Sequence, residues 1–400
     1  MGAWWLQAAP HPARFPLAAS AVKRPSRFRR AADAALCAKS LPRKPGPPID
    51  FLVGLWEGDA VLAGTARAEH PTAPPDRAQH LRWVLGRGEG EGELVGAGFT
   101  TWPAAHVLLG TRGRVWHTLR GCYDAQEARL ELSAEWEAVP GSRLAADDLG
   151  PGQGQAAASR TSFSGRAWWD ERQGELRLAG LWADAGEAEG QGADGAFLLA
   201  RREPAAAEDD LQALAGTWVG QAEGKAERWV LAVQPGTTPS AFGAAIHTSE
   251  EATAEGGSSG SLALLRGVAS GSGLRLRELA VDGRLVRGHE LEVEADGLLR
   301  SPELGKLELR LERRYAPLLA SELPGSYEHS AGGAVEVREE DEGAALLISN
   351  PLLRRPERMP AARACVGGAA RLLKQLGRWA PGPPGRIEWS NGSVWTRVVG

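Results

Sequence analysis

The sequence predicts an all-β protein with two tandem antiparallel units and a small C-terminal β element. Three observations predict this class: segments in which apolar and polar residues alternate, glycine-rich turns between them, and one phrase that occurs twice. The phrase is Leu-x-Gly-x-Trp-x-Gly, at residues 52–58 and again at residues 214–220. Because a duplicated phrase opens a run of strands each time, the chain is expected to hold two copies of one unit.

The alternation has the period of a strand with one face in the core and one in water. It is clearest at 129–136 and 306–313, where every second residue is apolar. Further segments of this kind are 174–182 and 288–297, each bounded by Gly, Asp or Gln. Such boundaries favour turns, so antiparallel strands with short connections are expected.

The similarity between the two copies extends beyond the phrase. Arg-Trp-Val-Leu follows the first phrase at 82–85 and the second at 228–231, and each copy ends on a strand with two adjacent arginines. A third and weaker copy, at 323–329, has Tyr where the others have Trp. The paired arginines are Arg201, Arg202, Arg313 and Arg314.

A strand-opening Gly-x-Trp with a basic residue on the last strand resembles the calycin superfamily, the lipocalin-like small β-barrels, and the longer phrase resembles their nitrobindin-like members. The resemblance implies two tandem lipocalin-like barrels in which the Trp closes one end and the last-strand Arg lies over its ring, a cation–π contact. Carried over to this chain, the pairs are Trp56 with Arg201 or Arg202 and Trp218 with Arg313 or Arg314.

The two copies differ in length. The first, at about 150 residues, is long enough for eight strands and an interior that holds one small ligand. The second, at about 105 residues, is expected to be a reduced or partly open barrel. Haem-binding nitrobindin-like proteins use a histidine late in the barrel, and segments 196–202 and 307–315 contain none. No haem, other cofactor or metal is therefore expected.

These patterns divide the chain into five parts. They are a basic leader over 1–49, a first β-barrel unit over 51–203, a linker over 204–210, a second and smaller unit over 211–316, and a C-terminal β element over 320–400. We expect the last part to contain a short helix and a hairpin.

Within the C-terminal part, residues 361–379 are compatible with a short helix, weakened by Gly367 and Gly368. Asn391-Gly392 is a strong signal for a two-residue type I′ hairpin. That turn would place Trp389 opposite Val394 and Ile387 opposite Thr396.

Charge is distributed unevenly. Residues 1–49 carry nine Arg or Lys and one acidic residue, whereas the remainder carries 37 basic and 49 acidic residues. The leader is typical of an organellar transit peptide, for plastid or mitochondrion, with a disordered tail on a cytoplasmic protein as the alternative. The acidic body argues against nucleic-acid binding, and no apolar run is long enough to span a bilayer.

Motifs for catalysis are not assembled. The segment H289-E-L-E-V293 lacks the second histidine of a zinc motif, and His289 points away from Glu290 and Glu292 in a strand. Gly256-Gly-Ser-Ser-Gly260 has the residue pattern of a nucleophile elbow, but it lies in an acidic low-complexity segment and not between a strand and a helix. His247, beside Glu250 and Glu251, is expected to lie in an exposed loop.

Tryptophans are the remaining candidates, since the chain has 15 and a barrel lined by indoles suits an apolar ligand. A role in filling the core is the alternative for each of them. We therefore expect a non-enzymatic binding protein for a small apolar ligand or a protein partner. The alternatives are a calycin-type enzyme acting on a lipid or pigment, through a carboxylate or a histidine such as His106 or His117, and a structural subunit of an organellar complex. The candidate ligand-binding residues are Trp83, Trp102, Trp116, Trp136 and Trp229.

Overall fold

A computed structural model describes most of the chain outside the leader and several inter-strand segments. The predicted basic leader lies outside the described residues up to Lys44. The described ranges are 45–62, 78–101, 114–136, 160–184, 195–202, 216–222, 225–234, 239–247, 261–270, 273–280, 283–294, 298–301, 307–312, 315, 318–350, 353–366 and 369–398.

The first unit is a closed barrel of eight antiparallel strands, each paired with its neighbours in the chain and β1 paired with β8. Indoles, phenyl rings and leucines from alternate positions fill its interior. The strands are β1 (Gly54–Leu62), β2 (Ala78–Arg87), β3 (Glu93–Thr101), β4 (Arg114–Asp124), β5 (Arg129–Trp136), β6 (Arg160–Asp170), β7 (Glu175–Asp184) and β8 (Gly195–Arg202).

The second unit repeats this architecture in a shorter stretch of chain. Eight antiparallel strands close through β9 and β16, so the expectation of a reduced or partly open barrel is wrong. Its last two strands are only three and four residues long, and this brevity is how a short segment still closes. The strands are β9 (Gly216–Ala222), β10 (Lys225–Gln234), β11 (Ser240–His247), β12 (Ser261–Ser270), β13 (Gly273–Leu279), β14 (Leu285–Val293), β15 (Leu298–Arg300) and β16 (Glu308–Leu311).

The C-terminal part is a nine-stranded sheet that curls into a half-barrel. The strands that come first and last along the chain pair with each other in the middle of the sheet. The strands at its two free edges, β20 and β21, are consecutive in the chain and are joined by the four-residue helix α1 (Ala361–Ala364). The strands are β17 (Gly325–His329), β18 (Ala334–Glu340), β19 (Ala345–Ser349), β20 (Glu357–Pro360), β21 (Cys365–Val366), β22 (Ala369–Leu372), β23 (Gln375–Ala380), β24 (Arg386–Trp389) and β25 (Val394–Arg397). The all-β prediction, with tandem barrels and a C-terminal β element, is confirmed.

Two local predictions in this sheet need correction. The helix ends at Ala364, and the residues after it form strands because sheet pairing outweighs their helical propensity. The hairpin exists, but the backbone N–H of Trp389 donates to the Ser393 carbonyl, and Ile387 lies opposite Trp395. The loop therefore has three residues, with Gly392 in the left-handed region at φ 82°, and the register shifts by one.

The barrels pack side by side through the outer faces of β2–β4 and β10–β12. Three aromatic rings form the centre of this junction: Phe242 of the second barrel lies 5.4 Å from Phe99 and 5.8 Å from Trp116 of the first, between ring centroids. The two barrels thus share a buried apolar seam.

We expect Gly86→Ala to weaken this junction. A Cβ at Gly86 would lie 2.4 Å from Thr217 Oγ1 and 2.5 Å from Val230 Cγ2, both in the other barrel. Overpacking of this kind costs about 1–3 kcal/mol of unfolding free energy. Gly288→Ala is the matched control, because a Cβ there meets nothing within 4 Å. Urea denaturation of both variants measures the effect, and equal stability for the two would contradict the packing.

The half-barrel covers one end of the first barrel. Leu376 and Ala369 join that barrel's apolar core, and the Trp169 indole donates to the Lys374 carbonyl at 2.5 Å. Phe51, in a short 3-10 helix before β1, lies under the Arg378 guanidinium at 5.1 Å. Within the described residues, no helix combines the length and the apolar character that a membrane crossing needs.

Candidate ligand site at the open end of the first barrel

One end of the first barrel is closed by the first repeated phrase. The Trp56 indole is fully buried, donates to the Leu52 carbonyl at 2.8 Å, and lies opposite Arg201 in the sheet. Gly54 has φ 130°, and a Cβ there would lie 3.0 Å from the Arg201 guanidinium. Glycine therefore lets the arginine lie against the backbone beside Trp56.

The next arginine points outward. Arg202 Nε lies 2.7 Å from Glu57 Oε2, while Glu57 Oε1 accepts from Arg82 at 2.7 Å and from His80 at 2.9 Å. The hydrogen bond to Asp59, followed by that to Glu57, raises the pKa of His80 to about 9. This network joins β8, β1 and β2 on the outside, so of the two predicted partners Arg201 is the one beside Trp56.

The same end-closing arrangement recurs in the half-barrel. The Tyr327 hydroxyl donates to the Leu323 carbonyl at 2.7 Å, as Trp56 does four residues back, and Arg397 lies opposite, 6.0 Å from the ring centroid. Gly325 has φ 151°, the same value as Gly216 before the fully buried Trp218. The predicted partners of Trp218, Arg313 and Arg314, lie outside the described residues.

The opposite end of the first barrel carries the long connections between strands. The closed end has turns of four or five residues, whereas the other end has connections of ten or more. The short turns are 88–92, 125–128 and 171–174, and the long connections are 63–77, 102–113, 137–159 and 185–194. We call it the open end after these long connections, whose own course lies outside the described residues.

His117 is the central polar side chain there. It is the fourth residue of β4, roughly 10 Å below the strand's start, and is 1% exposed. Its ring lies 4.4 Å from that of Trp136 and 6.4 Å from that of Trp83, between centroids. A Cβ at Gly98 would lie 2.7 Å from His117 Nε2, so the glycine makes room for the imidazole.

The imidazole of His117 has no hydrogen-bond partner on either nitrogen among the described residues. Burial lowers its pKa to about 3, so the ring is neutral at physiological pH. Buried polar groups are nearly always paired, because leaving one unpaired costs about 1–3 kcal/mol. A neutral imidazole that lies between two indoles and has no partner among the described residues is thus a feature that stability does not explain.

Other unpaired polar atoms lie near the same end. Trp182 Nε1 and Thr100 Oγ1 are buried, lack partners within the described part of the chain, and lie within three residues of the strand ends. Trp83 Nε1, one layer deeper, is unpaired too. By strand alternation all of these side chains share the inward face with core leucines. Together they offer donors and acceptors inside an aromatic wall.

We expect His117→Phe to stabilise the barrel in acid. As pH falls below about 6.5 the unfolded imidazole takes up a proton, whereas the folded one does so only near pH 3. Between these values the wild type loses about 1.4 kcal/mol of stability per pH unit through this group. The phenyl ring removes that loss and both unpaired nitrogens. Urea denaturation at pH 7 and pH 4.5 measures it, and a stability difference between variant and wild type that does not change with pH would contradict the burial of a neutral imidazole.

The predicted ligand-binding tryptophans fall in different places. Trp136 lies at the open end and donates to Thr161 at 2.7 Å, and Trp83 is fully buried below it, against Phe163 and Phe197. Trp229 occupies the equivalent position in the second barrel, since it lies opposite Trp218 as Trp83 lies opposite Trp56. Trp102 lies outside the described residues.

Trp116 faces away from both interiors. It packs at the barrel junction and lies 4.8 Å under the guanidinium of Arg266. It forms one wall of an open groove of about 880 Å³ along the outer face of β12–β14, with Arg275 and Arg277. The groove is a surface feature outside the barrels.

The second barrel carries a different polar cluster at the end opposite Trp218. The Glu278 carboxylate, 1% exposed, lies 2.7 Å from His247 Nε2 and 3.0 Å from His289 Nε2. Burial works to raise the pKa of Glu278, but the two imidazoles outweigh it and bring the pKa to about 2. The bond to Glu278 raises the pKa of His247. His247 therefore ends β11 in a defined contact, not in the exposed loop expected for it.

No cluster of three or more metal-ligating side chains in the described ranges has an arrangement that could hold a metal ion. The His247–Glu278–His289 group is joined by hydrogen bonds instead. No protein-family model matches the chain, and no curated protein or solved structure is detectably similar to it.

Sequence reasoning missed Thr100, Trp182 and Glu278 and gave His117 only as part of the enzyme alternative. For Glu278 the alternation of apolar and polar residues is a signal that could have identified it. The residue follows Leu274 and Leu276 on one face of its strand, and a carboxylate on an apolar face is unusual. The pairing of strands distant in sequence was needed to bring His247 to it.

Proposed function

We propose that this chain is a calycin-type binding protein whose first barrel takes up a small, largely apolar molecule through its open end. The single observation that supports this most is His117: a neutral, buried imidazole with both nitrogens unpaired among the described residues, between Trp136 and Trp83.

The chemistry of the wall suggests the kind of ligand. Indole and phenyl rings favour a flat or conjugated apolar body. A neutral imidazole offers one donor and one acceptor, and the Trp182 indole offers a donor. A ligand carbonyl would accept from one of these donors, and a ligand hydroxyl could also donate to the imidazole acceptor. Neither group brings a charge into the barrel, where an ion is costly. In keeping with the leader predicted over 1–49, we propose a plastid or mitochondrial location.

A tryptophan-fluorescence screen tests the binding function. Fatty acids, retinoids, carotenoids and tetrapyrroles are titrated into the wild type and into His117→Phe. We expect saturable quenching by at least one compound, and an affinity about tenfold or more lower in the variant, since an unmatched buried polar group on the ligand costs about 1–3 kcal/mol. Asp124→Asn, at the last residue of β4 and so at the closed end, is the control that should bind normally.

The other outcomes favour the alternatives. Chemical turnover of a bound compound would favour the enzyme acting on a lipid or pigment. Silence from every compound would favour a protein partner or a structural role. Equal affinity in the wild type and His117→Phe would remove His117 from the site.

A further inference from the structure

We infer that the second barrel contains a separate binding site for a small apolar molecule that carries a hydroxyl group. The geometry that points to it is a buried imidazole, His289, whose one nitrogen is held by the Glu278 carboxylate and whose other nitrogen has no partner in the described part of the chain.

The carboxylate fixes which nitrogen is free. Glu278 accepts at 3.0 Å from His289 Nε2, so in the neutral imidazole this nitrogen carries the proton and Nδ1 keeps a lone pair. His289 is 3% exposed, and its Nδ1 has no hydrogen-bond partner within the described residues. An acceptor that is buried, fixed in orientation and unpaired is suited to an O–H donor.

Neighbouring groups leave this acceptor available. The Trp229 ring lies 4.7 Å from that of His289, edge to face, but its N–H already donates to Glu227 Oε2 at 3.1 Å. His247 is bound to the other oxygen of Glu278 at 2.7 Å. Neither can pair Nδ1 without breaking an existing bond, so among the described residues this acceptor stays available to a ligand.

Solvent reaches the same end of the barrel. The side chain of His247, at the end of β11, is 34% exposed. Below it the interior is lined by the indole of Trp229 and by leucines. An apolar body that enters beside His247 would lie against these interior side chains while its hydroxyl reaches the imidazole.

This chemistry discriminates between ligands. A carboxylate cannot donate to Nδ1, because it only accepts, and it would lie beside the carboxylates of Glu278 and Glu227. An alcohol donates and is uncharged. The site should therefore prefer an alcohol to the acid of the same chain length, a preference that the neutral His117 site has no reason to share.

The test uses hexan-1-ol and hexanoate with the full-length protein at pH 7.5. Side-chain nitrogen NMR follows Nδ1 of His289 and both nitrogens of His117 during each titration. We expect hexan-1-ol to shift the His289 Nδ1 resonance saturably and hexanoate to leave it unchanged. Calorimetric affinity for hexan-1-ol should fall about threefold to tenfold in His289→Phe, which keeps the His247–Glu278 pair.

Three results would overturn the proposal: no shift of His289 Nδ1 with the alcohol, an equal shift with hexanoate, or unchanged affinity in a folded His289→Phe. If that variant does not fold, the wild-type resonances alone decide. A shift confined to His117 would also refute this second site while leaving the proposed function of the first barrel intact.

Discussion

Trp56→Ala should unfold the first barrel at a urea concentration where the wild type is fully folded. The indole is fully buried at the closed end, and truncating such a side chain costs about 3–5 kcal/mol. That is a large share of the stability of a domain this size. Trp218→Ala should act in the same way on the second barrel, where the indole is equally buried.

A double-mutant cycle shows whether the arginine takes part in the closure. Arg201→Ala should cost less than Trp56→Ala, and the two losses should be coupled by about 1–2 kcal/mol because the side chains are direct neighbours across β1 and β8. Arg202→Ala is the matched control, since its exposed side chain pairs with Glu57 on the outer face. Removing it should cost about 1 kcal/mol or less. Coupling of Trp56 to Arg202 and none to Arg201 would contradict the closure. The corresponding cycle for Trp218 uses Arg313 and Arg314.

Glu278→Gln should destabilise the second barrel by about 3–5 kcal/mol. The buried carboxylate bonds both imidazoles and forms an ion pair with His247, whose pKa it raises, so removing its charge leaves that cation uncompensated. Glu290→Gln is the control, because its half-exposed carboxylate lies 3.2 Å from the exposed Arg275 on the outer face. That change should cost about 1 kcal/mol or less, and equal losses in urea denaturation would show that the Glu278 contacts do not stabilise the barrel.

The His247–Glu278 pair makes the stability of the second barrel depend on pH in two separate ranges. Because the pKa of Glu278 falls from 4.5 to about 2 on folding, its contribution is present above pH 4.5 and is lost as pH falls toward 2. Because the pKa of His247 is raised, its contribution is present below pH 6.5 and is lost as pH rises through the raised value. Urea denaturation across pH measures this stability. In Glu278→Gln, neither the loss toward pH 2 nor the loss above pH 6.5 should remain. An unchanged profile would contradict the pair.

The fold was predictable because its signals are local. Alternation marks a strand such as Arg129–Trp136 without knowledge of its partners, and the spacing of Gly54 and Trp56 repeats at Gly216 and Trp218. Closure of the second barrel was not predictable, because it depends on the very short pairing of β15 and β16, which a strand-length argument overlooks. The predicted hairpin register was wrong for a similar reason, since Asn-Gly occurs in hairpin loops of two residues and of three.

The candidate sites were less predictable than the fold. Trp83 and Trp136 were identified from composition and lie near His117, but Trp116 belongs to the junction, which depends on how two barrels pack. That His117 has no hydrogen-bond partner among the described residues could not be predicted from the sequence, because it depends on the positions of all the groups around the ring. The pairing of His247 with Glu278 joins residues 31 positions apart on strands that are not adjacent in the sheet.

Nitrogen NMR of His117 during the ligand screen tests the central claim most directly. In the free protein its two side-chain nitrogens should show a neutral ring from pH 5 to pH 8, since burial holds its pKa near 3. On saturation with a compound that quenches tryptophan fluorescence, we expect both resonances to shift, as a ligand pairs the free atoms beside Trp136 and Trp83. Saturable quenching by a compound that leaves the His117 resonances unmoved would contradict the account, because the ligand would then be bound somewhere other than the open end of the first barrel.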